Sequence, residues 1–391
     1  MYRLRDEYRR SQVAIAALFC CLGFQYATWV SRIPALKTRL DLSEAELGLL
    51  LMVCGAGAAI SFPLVAVLTR RLGSRRLAIL SALGLGVVLL ALSVTPNYPV
   101  TLLIVCCDGI AVGCLNVAMN AQAAALEVKY QRTTMARMHA TFSAGSLFAA
   151  LLASGVTSLS SALPAHFVTA TALLAVLVLG ASGGLLTEDQ SAFSVDELAD
   201  AAPKRKGLTL PTRVTIWMGL AMAFGTVTEG AMNDWSALYL KDTAGAAAEL
   251  APLGIAVVSV MMVLARLFAD GWRTKWGDDR IVRVGSVLAG TGLALALLAG
   301  GVVPALLGFA CVGLGIAAVT PCVYVAAARQ GSDALALVAA MGTTGLLAGP
   351  AVIGFIANGT SLAWGMGAVA VSALVVAVCS TRIRFPVLTD A

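Results

Sequence analysis

Twelve apolar segments account for most of this chain, and each is long enough to cross a bilayer as a helix. A span needs about 20 apolar residues, because each residue adds about 1.5 Å along a helix. Of the 391 residues, 59% are hydrophobic and 12% are charged, whereas globular domains have about 45–50% and about 25%. The sequence therefore predicts an all-α integral membrane protein, with spans at residues 12–36, 43–69, 76–95, 99–125, 138–161, 165–186, 212–240, 250–271, 281–300, 304–328, 335–357 and 361–381.

Lysine and arginine collect in alternate gaps between these spans. One set of gaps contains dense clusters, such as the four arginines within Arg70–Arg76. The opposite set contains only Arg32, Lys37, Arg39 and Lys241. Because basic residues that flank spans stay on the cytoplasmic side, we expect both termini in the cytoplasm and the protein in the plasma (inner) membrane. The same sorting explains the net charge of +6 without a nucleic-acid partner.

The longest polar gap divides the spans into six plus six. It predicts a six-helix bundle at residues 1–186, a cytoplasmic linker at 187–211 and a second six-helix bundle at 212–391. The halves resemble each other at a shift of about 200 residues: Gly113–Asn116 aligns with Gly313–Ile316, and Met138–Thr141 aligns with Met341–Thr344. Two parallel six-span repeats are typical of transporters, whose binding site lies near the bilayer midplane between the repeats.

Two loop segments carry a more specific signal, Arg70–Arg76 after span 2 and Asp270–Gly277 after span 8. They resemble the cytoplasmic signature of the major facilitator superfamily, roughly G-x-x-x-D-R-x-G-R-R. The resemblance implies twelve helices in two pseudo-symmetric bundles, with spans 1, 4, 7 and 10 around a central cavity. It also implies conformational gating by Arg75, Arg76, Asp270 and Arg273. The second copy keeps the acid at Asp270, whereas the first has Thr69 or Arg70 in that place.

Span 4 and the start of span 5 resemble the fucose:proton symporter branch of that superfamily. The likeness rests on Gly113–Asn120 and Met138–Ser143. Fucose permeases carry acids in spans 1 and 4, where this chain has Val30 and Asn116. Fucose itself and the protonation sites of that branch are therefore not carried over to this chain.

Polar residues within spans are costly and concentrate where they face protein or water. Span 1 has three of them on one helical face, and spans 4 and 7 each have a pair at i, i+4. With a threonine in span 10, the predicted substrate-binding residues are Gln25, Trp29, Arg32, Asn116, Asn120, Asn233 and Thr320. The bland alternatives are interhelical hydrogen bonds for Asn116 and Asn120 and a structural salt bridge between Arg32 and Asp108.

Glu229 is the predicted proton carrier, because an acid deep in a span has its ionised form disfavoured by the loss of water. Asp108 is the reserve candidate, and Asp234, near the end of span 7, is the third. The alternative for Glu229 is a permanently ionised carboxylate that pairs with a cation.

We expect a secondary transporter rather than an enzyme. The sequence has no G-x-x-x-x-G-K-[ST] nucleotide-binding motif, no CxxC pair and no nucleophile–base set, so neither a cofactor nor a metal is expected. Amides suit a small sugar- or polyol-like substrate, because they both donate and accept hydrogen bonds; Arg32 leaves an anionic substrate open. The expected partners are that solute, protons and lipid, with the protein a monomer. The alternative function is a proton-driven exporter of drugs or amphipathic metabolites, for which Gly349-Pro350 with Gly354 resembles an antiporter motif that belongs in span 5.

Overall fold

In the computed structural model, the described residues are 2–130, 134–187, 212–383 and 385, without the side chains of 2–5, 66, 136, 270, 332 and 336. They are helical almost throughout. In chain order the helices are α1 Tyr2–Val30, α2 Ile33–Leu40, α3 Glu44–Ser93, α4 Tyr98–Tyr130, α5 Met135–Leu159, α6 Leu163–Ser182, α7 Arg213–Asp242, α8 Leu253–Trp276, α9 Asp278–Ala299, α10 Val302–Ile316, α11 Val319–Ala328, α12 Ser332–Gly359 and α13 Leu362–Ser380. The all-α prediction is confirmed. The predicted boundary within 187–211 lies almost wholly outside the described residues, so the division there stays a prediction.

Ten helical segments of the described chain are long and apolar enough to cross a membrane, counting the two parts of α3 separately and α10 with α11 as one. The other two predicted spans correspond to α7 and α8. In α8 the apolar stretch, Leu253–Ala269, is shorter. The 30-residue α7 contains Glu229, Asn233 and Asp234, and these polar residues lower its hydropathy.

By packing, the chain divides into two compact units. The first contains the described residues of Met1–Leu40 and Val53–Asp200. Its central element is α1, which packs most extensively against α5 and also contacts α4 and α6. Small residues permit this closeness: a Cβ atom on Gly145 would collide with the Cys20 carbonyl. Close helix contact of this kind stabilises membrane bundles, where lipid removes the usual hydrophobic drive.

The second unit contains the described residues of Asp41–Met52 and Ala201–Ala391. Its central element is α7, which packs against α12 and α13 most extensively. The predicted span 10 is broken here: α10 ends at Ile316 and α11 begins at Val319. Pro321 explains the break, because it has no N–H to donate to Ala317 and its ring clashes with that carbonyl.

The two loop motifs fold alike, which supports the internal repeat. Gly73 interrupts α3 with φ 75° and ψ 159°, and Gly277 separates α8 from α9 with φ 80° and ψ 152°. Both lie in a region that is essentially restricted to glycine. The positions are 204 residues apart, close to the shift found in the sequence.

Candidate functional site

A buried carboxylate in the first unit contacts two neighbouring helices. Asp108 of α4 accepts a hydrogen bond from Gln25 Nε2 of α1 at 2.7 Å and a weaker one from Cys54 Sγ of α3 at 3.6 Å. Asp108 and Gln25 are both fully buried. Among the described residues, no ion pair joins Asp108 to Arg32, so the salt bridge offered as an alternative for these two residues is wrong.

Arg32 instead holds the end of α5. Its guanidinium donates to the Thr157 hydroxyl and to the Ser161 carbonyl. A cation at a helix C-terminus interacts favourably with the helix dipole, which accounts for a buried arginine that has no acidic partner among the described residues. Nearby, His166 of α6 is fully buried, and neither ring nitrogen has a hydrogen-bond partner in the described part of the chain. The sequence analysis did not identify His166.

The two asparagines of α4 form a local pair on the exposed side of that helix. Asn120 Nδ2 donates to the Asn116 side-chain oxygen at 3.0 Å and to its backbone oxygen at 2.8 Å. Asn116 is exposed and Asn120 is half-buried. No hydrogen bond from either side chain to another helix is found among the described residues, which argues against the alternative of interhelical hydrogen bonding.

The second unit contains an ion pair that joins two neighbouring helices. Glu229 Oε1 of α7 lies 3.3 Å from Arg266 Nη2 of α8, and the two side chains are 30% and 32% exposed. Glu229 is 16 residues into α7 and Arg266 is 13 residues into α8, depths of about 24 and 20 Å along the helices. One turn further along α7, Asn233 Nδ2 donates to the Glu229 backbone oxygen at 3.1 Å. This contact agrees with the alternative stated for Glu229, a carboxylate that pairs with a cation.

The remaining predicted site residues differ in exposure. Trp29 is buried, and its indole N–H has no partner in the described residues. Asp234 is buried as well, whereas Thr320 at the start of α11 is half-buried. Gln25, Trp29 and Arg32 therefore need a movement of helices before a solute could touch them, and their role in binding stays a prediction.

The predicted gating residues have clear local partners where they are described. Arg75 donates to the Ser182 backbone oxygen at 3.0 Å, at the end of α6. Arg273 forms two hydrogen bonds with Asp278, at 2.8 and 3.1 Å. Arg76 is exposed, and the Asp270 side chain lies outside the described residues.

Two intramembrane residues, Arg266 and Gln122, have clear partners but were missed in the sequence. Arg266 could have been found as the one basic residue inside the apolar stretch of span 8. Gln122 is fully buried on α4; it donates to Ser74 Oγ at 2.8 Å and to the Leu186 carbonyl at 3.1 Å, and accepts from the Leu186 N–H at 2.9 Å. Gln122 thus links α3, at the residue after Gly73, to the segment that follows α6. No group of three or more metal-ligating side chains occurs in the described chain.

Comparison with known proteins gives one family match and several structures with a similar fold. Residues 13–333 match the family described as Major Facilitator Superfamily. An uncharacterised MFS-type transporter of Yersinia pestis is 32% identical over 378 residues, which cover 94% of both chains. The crystal structure of the nucleoside transporter NupG superposes with a TM-score of 0.70 at 16% identity, covering 96% of this chain and 98% of that one. FucP, in its outward conformation, superposes with a TM-score of 0.60 at 15% identity, covering 97% and 100%. At these identities the structural likenesses show the fold.

Proposed function

The chain belongs to the Major Facilitator Superfamily, and from this premise we propose that it moves a small hydroxylated solute, sugar- or polyol-like, together with protons by alternating access. The observation that carries the proposal is the Glu229–Arg266 pair, in which a partly exposed carboxylate at mid-helix depth lies 3.3 Å from a guanidinium nitrogen. Charged side chains at such depth face the bundle interior or water rather than lipid. This depth and partial exposure support Glu229 as the residue that receives the proton.

The proposed substrate class rests on three amides within the spans. Asn116, Asn120 and Asn233 are exposed or half-buried, and exposed amides in a span are costly against lipid but useful against a polar solute. An amide donates and accepts hydrogen bonds, so it complements hydroxyl groups, which also do both. We propose that these three residues, with Thr320, contact the hydroxyls of the substrate.

Proton coupling is assigned to Glu229, with Asp108 as the reserve. Asp108 is buried without a cation in the described residues, and its partners are the neutral groups of Gln25 and Cys54. It can hold a proton, but its full burial separates it from water. Glu229 is the more accessible of the two acids, which supports it as the proton carrier.

The proposal includes the orientation in the membrane. We propose a monomer in the plasma (inner) membrane with both termini cytoplasmic, because the basic residues flank the spans on that side.

The experiment uses purified protein in proteoliposomes with an imposed proton gradient. Radiolabelled hexoses, hexitols and hexonates, the last being sugar acids, are offered to the wild type and to Glu229→Gln, with Glu249→Gln outside the spans as the matched control. Glu229→Gln should lose gradient-driven accumulation and keep solute exchange, which needs no net proton movement. Normal accumulation by that variant would transfer the proton role to Asp108. If the wild type accumulates no member of the panel, the proposed substrate class is wrong.

A further inference from the structure

An apolar groove with two arginines at one end lies on the first unit, between α1 and α6. Its volume is about 530 Å³. Apart from Arg9 and Arg10, every residue that lines it is apolar or a glycine. Small residues of both helices, among them Ala14, Ala17 and Gly180, leave the space open. The groove therefore has an apolar part that suits hydrocarbon and one charged end.

The groove opens toward the bilayer. Val13 and Val176 line it, one from each helix, and they are 68% and 71% exposed. Large exposed apolar side chains on a spanning helix mark a surface that faces the membrane. Ala17 lies one residue short of two turns beyond Arg10 on α1, so the apolar part extends about 10 Å from the arginines along the helix axis. A hydrocarbon chain can enter the groove from the side of the lipid.

The two arginines are available to a ligand. Both are exposed, and within the described part of the chain neither has a hydrogen bond or an ion pair. Asp6 and Glu7, the acids of the preceding turn of α1, are exposed and do not line the groove. The end of α6 already has a cation, because Arg75 donates to the Ser182 carbonyl there. Adjacent guanidiniums suit a phosphate group, which an arginine binds through two parallel hydrogen bonds.

From this groove we propose that the chain binds an anionic phospholipid between α1 and α6, with the headgroup phosphate on Arg9 and Arg10 and an acyl chain along the apolar part. Basic residues next to a spanning helix attract anionic lipids, by about fivefold in affinity for each charge. Because the lipid contacts both helices, it joins the start of α1 to the end of α6 and stabilises the first unit. Lipid binding is independent of the transported solute, so it can hold or fail separately from the proposed function.

Other occupants would use only part of this groove. A zwitterionic phospholipid has a cation beside its phosphate, which weakens its attraction to two adjacent guanidiniums. A soluble phosphate would contact the arginines and leave the apolar part unfilled, whereas a neutral detergent would do the reverse. An anionic phospholipid is the occupant that matches both ends, and matched probes separate it from the others.

The first experiment offers such probes to the purified full-length protein in detergent micelles, without a transported solute. Dioleoylphosphatidylglycerol and dioleoylphosphatidylcholine have the same acyl chains, and glycerol 1-phosphate has a phosphate without the chains. Binding is measured as thermal stabilisation, because a ligand that binds the native state raises its stability. The phosphatidylglycerol should half-saturate at a mole fraction about 25-fold lower than the phosphatidylcholine, about fivefold for each arginine. Equal half-saturation by the two lipids, or equal stabilisation by glycerol 1-phosphate, would overturn the inference.

The second experiment removes the charged end of the groove. Arg9→Gln/Arg10→Gln should bind phosphatidylglycerol about 25-fold more weakly than the wild type does, with phosphatidylcholine binding unchanged. The matched control is Arg213→Gln/Arg382→Gln, which removes two exposed arginines from the same set of basic gaps in the second unit. The control should keep the lipid preference of the wild type. A preference that survives in Arg9→Gln/Arg10→Gln, or is lost equally in the control, contradicts the assignment of the headgroup.

The third experiment fills the apolar part and leaves every charge in place. A Cβ atom on Gly180 meets no other atom within 4 Å, so the first atom of a leucine side chain fits there and the rest extends into the groove. Gly180→Leu should abolish the stabilisation by phosphatidylglycerol. Gly155→Leu is the matched control, because Gly155 is equally open and lies on α5 outside the groove; it should bind lipid as the wild type does. Undiminished stabilisation of Gly180→Leu would show that no acyl chain lies in the groove, and this result decides the matter even if the arginine variant does not fold.

Discussion

Removing the charge of Arg273 should destabilise the second unit more than removing that of its partner Asp278. The pair has two hydrogen bonds, and the two side chains differ in burial: 16% of Arg273 is exposed and none of Asp278. In Arg273→Met the Asp278 carboxylate stays buried without a cation, a change that typically costs about 3–5 kcal/mol. In Asp278→Asn the buried group is neutral and Arg273 can turn toward water, so the loss should be nearer that of two ordinary hydrogen bonds, about 1–3 kcal/mol.

The assay is thermal unfolding of the purified variants in detergent. For a unit of this size, about 3–5 kcal/mol corresponds to a fall in Tm of roughly 6–20 °C. The double variant Arg273→Met/Asp278→Leu should recover much of the loss, because an apolar pair can replace a buried ion pair at little cost. Equal destabilisation by the two single variants would refute the reasoning from burial. If the double variant is stable but cannot transport, Arg273 is a gate as the sequence predicted; retained transport identifies a static brace, which the bidentate geometry favours.

Three further predictions follow from local geometry. Gly277→Ala should cost about 1–3 kcal/mol, because its φ of 80° and ψ of 152° are strained for any L side chain, whereas Gly271→Ala, which meets open space within α8, should be neutral or slightly stabilising; equal Tm values for the two would contradict this. Gln122→Leu should lower stability by about 2–4 kcal/mol, since it breaks three hydrogen bonds and leaves the Leu186 N–H buried without its side-chain acceptor. An unchanged Tm would show that these hydrogen bonds do not stabilise the fold. With the nine native cysteines replaced, a cysteine at the exposed Ala248 should react with an impermeant maleimide added outside cells and one at Ser191 should not; the reverse pattern would invert the proposed topology.

Patterns with a strong physical basis were predictable from the sequence. Helix positions followed from apolar length, and the break before Thr320 followed from proline chemistry. The repeat was visible because Gly73 and Gly277 each adopt a backbone conformation that other residues reach only under strain. These features depend on nearby residues in the chain, which is why one sequence was sufficient.

The partners of intramembrane polar residues could not be predicted in the same way. A salt bridge between Arg32 and Asp108 was plausible from the sequence, because the two residues have opposite charges and lie toward the same side of the membrane. In the structure, Arg32 donates hydrogen bonds at the end of α5, and Asp108 accepts one from Gln25. Side-chain direction around each helix decides these contacts, and an uncertainty of one or two residues in a helix boundary does not fix it.

Depth along connected helices explains the pairing of Glu229 with Arg266. Glu229 lies 13 residues before the end of α7 and Arg266 lies 13 residues after the start of α8. Residues 243–252 form the short connection between these helices, and α7 packs against α8. Two neighbouring helices joined by a short loop run in opposite directions, so equal residue counts from the loop place two side chains at equal depth, here about 20 Å. Opposite charges at equal depth in such helices have a strong reason to meet, because either alone would be costly in the bilayer. Counted from the helix ends of the structure, this argument accounts for the pair on which the proposed proton coupling depends. Counted from the predicted spans, 212–240 and 250–271, Glu229 and Arg266 lie 11 and 16 residues from the loop, so the sequence alone does not place them at equal depth.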